Sequence, residues 1–235
     1  EYFFGAVGGA YTDVSREGLH AVFGEFTSGL RPLMWTSLFL LINYLIISRG
    51  VASGIERISN VLMPLLLALI VVFCINSLML PEAGAGLRFL FKPDFGSITG
   101  PVVIGAMGQA FFSLSLGLGC MLTYASYFCE STDIVKSAAT TAGLDTLIAV
   151  LAGVLIFPAV FSFDYSPEAG PKLVFEVLPA IFNEMAGGRI WASLFFFTLF
   201  IASLTSTISM CEIVVVFLCE EKKMKRRNAC ALTIA

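Results

Sequence analysis

Charge is what this sequence has least of. Asp, Glu, Lys and Arg together supply 13% of its 235 residues, roughly half the share of an ordinary soluble domain. There is one histidine, His20, set in a polar stretch where it reads as a surface residue rather than a ligand. The six cysteines, at 74, 120, 129, 211, 219 and 230, form no CxxC pair. Most fall in or beside apolar runs, so they read as small buried hydrophobes with free thiols, not as a disulfide frame or a metal site. No nucleophile–base pair and no metal-ligand cluster is visible, which argues against an enzyme. The net charge of −3 gives no reason to expect a nucleic acid. No signal-peptide pattern is present. The chain opens on Glu1-Tyr2-Phe3-Phe4 without a methionine and stops at Ala235, just after a new apolar run begins. Both ends read as cuts within a longer protein.

What the sequence has in excess is hydrophobic residues. They make up 57%, with 22 phenylalanines and a mean hydropathy of +0.89. This is the composition of an all-α integral membrane protein. Five apolar stretches approach the ~20 residues that cross a bilayer. They cover about 33–48, 61–80 with Pro64 in the first turn, 102–128, 137–162 and 190–219. The fourth holds one charge, Asp145, and the fifth one, Glu212. Residues 1–32 begin as an apolar remnant and turn polar. A loop follows the second stretch. In the longer loop 163–189, Leu173, Val174, Val177, Leu178, Ile181 and Phe182 recur at helical spacing, so it should fold a short helix over the membrane face. Five spans place loops 49–60, 129–136 and 220–228 on one side. Those loops carry eight of the fourteen Lys and Arg, concentrated at 222–227, which makes that side cytoplasmic.

The third stretch, 102–128, carries no charge, yet its middle reads Ser113-Leu114-Ser115-Leu116-Gly117-Leu118-Gly119. That density of breakers predicts a helix that stops and restarts. Non-helical backbone at membrane depth persists only where it is buried in protein or lines a cavity, and secondary transporters build sites from such breaks. Gly105 and Gly108 fit a helix-packing face instead. In the fifth stretch Ser203, Thr205, Ser206, Thr207 and Ser209 crowd together, and each can bond the carbonyl four residues back. Ala202, Thr205 and Ser206 nevertheless share one face at i, i+3 and i+4. One carbonyl and two hydroxyls there suit a hard cation. Asp145 has no basic residue within helical reach, so it must be protonated, meet another helix, or touch a cation or water. Glu212 reads as a hydrogen-bonding group to a neighbouring helix near the cytoplasmic face.

At these residues the chain resembles the neurotransmitter:sodium symporter family, in its bacterial amino-acid branch. The resembling segments are Gly50 to Pro64, Gly86 to Phe95, Gly108 to Tyr127, Leu178 to Gly188 and Leu204 to Ser209. The resemblance implies a leucine-transporter-type fold of twelve helices with two inverted repeats. Residues 1–235 would be one piece of that transporter domain, running from the end of the third helix through the fourth to eighth into the ninth. It implies sodium-coupled symport of an amino acid and two sodium sites, both incomplete here, since the first helix and most of the third are outside the chain. Gln109 resembles an extracellular-gate glutamine, Phe112 the aromatic lid over substrate, and Tyr127 a cytoplasmic-gate tyrosine. Ser113 and Asp145 match ligands of the first sodium, the latter standing where Asn is usual. Ala202, Thr205 and Ser206 match ligands of the second. Phe112, Ser113, Ser115, Leu118, Ser206 and Met210 match the substrate pocket, whose Phe112, Leu118 and Met210 favour a hydrophobic side chain. One turn after Asp145, where the family has a Glu or a chloride-binding Ser, this chain has Ala149. Asp145 would supply that missing negative charge, so transport should be chloride-independent. A proton-coupled or uncoupled transporter of related fold, and a non-transporting membrane fragment, are the alternatives.

Overall fold

A computed structural model describes residues 1–11, 14, 16–50, 55–164, 173–185 and 187–234. Among these the regular structure is helical: α1 (Tyr2–Gly8), α2 (Arg16–Thr27), α3 (Arg31–Ile47), α4 (Arg57–Leu78), α5 (Ala83–Phe91), α6 (Gly100–Ser113), α7 (Cys120–Ala125), α8 (Ile134–Ser162), α9 (Leu178–Glu184), α10 (Gly188–Glu220) and α11 (Arg226–Ile234).

Three of these helices, α4, α8 and α10, are long and apolar enough to cross a membrane on their own. The span expected at 33–48 is α3, whose 17 residues lie at the short end of the spanning range. It is bent by 66° from the end of α2. The span expected at 102–128 is α6 and α7, separated by the break.

α10 organises the molecule. At 33 residues it is about 50 Å long, and it touches α1, α3, α4, α7, α9 and α11. Two apolar cores lie along it. One gathers α1, α4, α8, α9 and the upper part of α10 around Phe73, Val160, Ile181, Phe196 and Ile201. Tyr2 is its aromatic hub, with ring centroids of Tyr11, Phe26, Phe175 and Phe196 all 5.0–5.3 Å away. The other joins α3, α10 and α11 through Ile46, Ile47, Leu204, Ile208, Val215 and Cys230.

Polar atoms are spent on helix–helix contacts, as an apolar solvent demands. The Ser77 hydroxyl donates to the Leu155 carbonyl at 2.7 Å and the Cys74 thiol to the Leu151 carbonyl at 3.1 Å, tying α4 to α8 one turn apart. At the C-terminal end of α8, the Glu82 N–H donates to Ser162 Oγ at 3.2 Å.

Some local expectations are corrected. Pro64 is not in the first turn of its span: α4 begins at Arg57, so the ring sits in the helix interior. The segment after the second span is not wholly a loop, because 83–91 is helical. Gly86 explains why: its bare Cα lies against the backbone of Pro158 and Phe157, which any Cβ would overlap. Close approach there lets α5 pack along α8, with Leu90 against Gly153 and Phe89 between Phe157 and Phe161. His20 is on α2 rather than in a loop, and its side chain lies outside the described residues. In the loop 163–189 the expected helix is present as a wide turn at Leu173–Val177 followed by α9. Leu178 and Ile181 are buried against the first core, and residues 165–172 and 186 lie outside the described ones. All six cysteines are free, with Cys74, Cys120 and Cys230 buried.

Candidate functional site

The break at residues 114–119 has a defined beginning. α6 ends in a paired turn in which Ser115 N–H donates to the Phe112 carbonyl at 3.1 Å and Leu116 N–H to the Phe111 carbonyl at 2.9 Å. This is the helix stop that places its pivot residue in the left-handed region. The pivot is Ser115, with φ 53°, where glycine is the usual choice, at a cost of about 1–2 kcal/mol. Gly117 at φ 85° and Gly119 at φ 80° complete a segment that no run of ordinary L-residues follows without strain. α7 then restarts at Cys120. The interruption expected at Ser115–Gly119 is therefore present.

Two residues expected to share the first cation site meet at its edge. Ser113, the last residue of α6, donates from Oγ to Oδ1 of Asp145 on α8 at 2.7 Å. A hydroxyl and a carboxylate from two helices thus converge beside exposed backbone, an oxygen-only set of the kind hard cations take. Across the break, Ala202, Thr205 and Ser206 lie on α10. Thr205 is buried and its hydroxyl proton is shared between the carbonyls of Ile201 at 3.1 Å and Ala202 at 3.0 Å. With its proton so placed, the oxygen keeps lone pairs free. Thr207 and Ser209 bond the carbonyls four residues back, of Ser203 and Thr205.

The expected pocket residues are placed but not gathered. Phe112 on α6, Leu118 in the break and Met210 on α10 are 73%, 50% and 52% exposed. Gln109 is exposed as well. α6 has no buried residue, and a helix that is apolar all round and unburied needs lipid or another helix against it. A cavity of about 540 Å³ does open beside the break, on the α7 side, between Leu114, Met121, Tyr124, Phe128, Ala138 and Thr141. None of the expected pocket residues lines it.

Past α7 lies a buried polar group. Glu212 is fully buried. Tyr127, just past α7, donates to its Oε1 at 2.9 Å, and Arg226 of α11 donates to its Oε2 at 2.6 Å. Arg226 Nε also donates to the Ile47 carbonyl at the end of α3 at 2.9 Å. Burial alone would lower the Arg226 pKa, but the hydrogen bond and charge of Glu212 outweigh it and raise it. One arginine thus joins the ends of α3, α7 and α10, the three ends that the charge pattern places on one side. Glu212 was expected to bond a neighbouring helix and does so; Tyr127, expected as a gate tyrosine, was not expected as its partner. Arg226, Tyr124 and Ser209 were not singled out as partners. Arg226 is hidden in sequence among the solvated cations at 222–227, and only its depth separates it from them.

This chain resembles known proteins over nearly its whole length. Residues 25–235 match the model of the sodium:neurotransmitter symporter family. An uncharacterized sodium-dependent transporter of Haemophilus influenzae is 41% identical over 203 residues, 86% of this chain and 44% of that protein. The uncharacterized sodium-dependent transporter YhdH of Bacillus subtilis is 37% identical over 97% of this chain and 51% of its own length. In three dimensions the chain matches the crystal structure of MhsT in complex with L-phenylalanine. The TM-score is 0.90 at 40% identity, covering 99% of this chain and 53% of MhsT. The chain spans about half the length of the relatives it matches.

Proposed function

Because this chain belongs to the sodium:neurotransmitter symporter family, whose members are transporters and not enzymes, we propose that the full-length protein is a sodium-coupled symporter of an amino acid with an apolar side chain, independent of chloride. The observation that carries this reading is the Ser113–Asp145 contact at the mouth of a broken helix. It supports a first sodium site built from hydroxyl, carboxylate and backbone oxygen. The face of Ala202, Thr205 and Ser206 on α10 supports a second. Sodium here is a transported ion, and both sites take further ligands from parts of the protein outside these residues. Phe112, Ser113, Ser115, Leu118, Ser206 and Met210 line the amino acid's path, and their apolar members favour a hydrophobic side chain. MhsT, similar over the whole chain, is described in complex with L-phenylalanine.

In this reading Gln109 and Phe112 close the site from outside, and Tyr127 with Glu212 and Arg226 closes it from the cytoplasm. Loops 49–60, 129–136 and 220–228 face the cytoplasm and the protein sits in the inner membrane of a bacterium. Sodium favours the outward-open state, and the amino acid permits closure. Neither ligand shifts that balance by more than its own difference in affinity for the two states.

The test is uptake of labelled phenylalanine, leucine and alanine into proteoliposomes holding the full-length protein, with an inward sodium gradient, with sodium replaced by choline, or with a proton gradient alone. Uptake that needs sodium and favours the larger side chains is expected. Uptake driven by the proton gradient without sodium would instead make Asp145 a proton carrier, and no uptake in any arm would leave a non-transporting membrane protein.

A further inference from the structure

α7 is too short to stand alone. Six residues make under two turns, and isolated helices of that length do not hold in water or form a nucleus of their own. α7 is held against α10 by two hydrogen bonds in register. Tyr124 Oη donates to Ser209 Oγ at 2.8 Å, and three residues on, Tyr127 Oη donates to Glu212 Oε1 at 2.9 Å. Residues three apart share a helix face, and the spacing is three on both helices in the same chain direction. α7 therefore runs parallel to α10. The buried Cys120 thiol adds a weak third contact to the Ser209 carbonyl at 3.8 Å.

The upper rung does more than hold α7. Ser209 accepts from Tyr124 and has one proton left to give. It gives it to the Thr205 carbonyl at 3.1 Å. The Thr205 hydroxyl donates separately, to the Ala202 carbonyl at 3.0 Å. A chain of donors thus runs from the cytoplasmic half of the broken helix, through Tyr124 and Ser209, to the Thr205 carbonyl, the backbone of the residue whose hydroxyl stands on the face of Ala202, Thr205 and Ser206. Hydrogen bonds in such a chain polarise one another, and a hydroxyl bonded to the carbonyl one turn back bends its helix locally. The Tyr124 hydroxyl decides which way the Ser209 proton points, and so where the Thr205 carbonyl is drawn.

We propose that Tyr124 is a positioning residue for the cation face of α10, latching the cytoplasmic half of the broken helix to that face through Ser209. The proposal rests on the reading of that face as a sodium site. It means that α7 cannot swing away from α10 without releasing Ser209, so opening toward the cytoplasm and loosening of the Thr205 site are one event.

The experiment is a sodium titration of the melting temperature of the full-length protein in detergent, potassium replacing sodium at constant ionic strength. A bound ion stabilises the folded protein by RT ln(1 + c/Kd), with c the sodium concentration, so the curve of melting temperature against sodium yields Kd, the half-saturating concentration, and no substrate is needed. Tyr124→Phe keeps the ring that packs and removes only the hydroxyl. It should raise the half-saturating sodium concentration roughly fivefold, the weight of one neutral hydrogen bond. Ser209→Ala should do the same, and the double variant should be no worse than either single one. A Tyr124→Phe protein that melts lower without sodium but keeps the wild-type half-saturating concentration would reduce Tyr124 to a packing residue. Additive effects in the double variant would break the chain at Ser209 and overturn the latch. A wild type that sodium does not stabilise would instead overturn the sodium reading itself, and this proposal with it.

Discussion

The hydroxyl of Ser113 and the carboxylate of Asp145 lie 2.7 Å apart, 32 residues apart in sequence and on different helices. Ser113 is the last helical residue before the break, so its own backbone is the first to leave α6. A carboxylate in an apolar membrane segment needs an opposite charge or donors close by. Here it has one hydroxyl, and among the described residues no cation bonds it. In the reading proposed above, a sodium ion supplies that charge.

The Glu212 network makes a stability prediction. Removing one partner of a buried ion pair costs about 3–5 kcal/mol, because the other charge is left buried and unpaired. Arg226→Leu leaves Glu212 with Tyr127 alone and frees the Ile47 carbonyl as well. The full-length variant should lose melting temperature strongly. Glu212→Gln keeps an acceptor for Tyr127 and should lose much less. Adding Glu212→Leu to Arg226→Leu should restore part of the loss. Equal melting of Arg226→Leu and wild type would show that the carboxylate is neutral or solvated.

A second prediction concerns α5. Alanine at Gly86 would drive its Cβ into the Pro158 backbone, which has no flexible end to yield. Overpacking of this kind costs about 1–3 kcal/mol. Gly84, on the same helix, has nothing within 4 Å of an added Cβ. Gly84→Ala should therefore be neutral or stabilise by up to about 1 kcal/mol through helix propensity. Paired melting curves of the two variants read the difference directly.

These features differ in how legible they were in the sequence. The spans, the break and the Thr205 hydroxyl were legible because hydropathy, glycine and hydroxyl density are local properties of the chain. Asp145 and Glu212 stood out because charge in an apolar run is rare. Their partners did not. Ser113 is one of two hydroxyls at the break, nothing local says which reaches α8, and only the family resemblance pairs it with Asp145. Arg226 is one of five cations within six residues, and only the packing of α11 on α3 selects it. α5 was missed because Ala83-Gly84-Ala85-Gly86 reads as a turn. It is helical because glycine permits contact with α8, a tertiary reason that outweighs its propensity.

The cation face of α10 is tested by removing its oxygens while keeping its shape. Thr205→Val with Ser206→Ala should abolish most sodium-dependent stabilisation in the full-length protein and sharply raise the sodium needed for uptake. Folding should change little, since the Thr205 hydroxyl bonds only carbonyls of its own helix. Unchanged sodium dependence in the double variant would remove these residues from the site.

The last prediction returns to Asp145. Two sodium ions near the membrane midplane need negative charge close by, and at ~4 Å each unscreened pair interacts by about 4 kcal/mol at an effective dielectric of 20. A transporter lacking a fixed carboxylate must take up an anion with the cations. Ala149, one turn on along α8, offers neither acid nor hydroxyl. Asp145 stands at the break with an oxygen already bonded to Ser113. If it supplies the charge, replacing chloride by gluconate at fixed sodium should leave uptake by the full-length protein unchanged. Asp145→Asn keeps the size and an acceptor for Ser113 but removes the charge. It should lower activity, and part of the loss should return with added chloride. A wild type that loses most of its uptake in gluconate would mean that the balancing charge is the mobile anion and that Asp145 has another task.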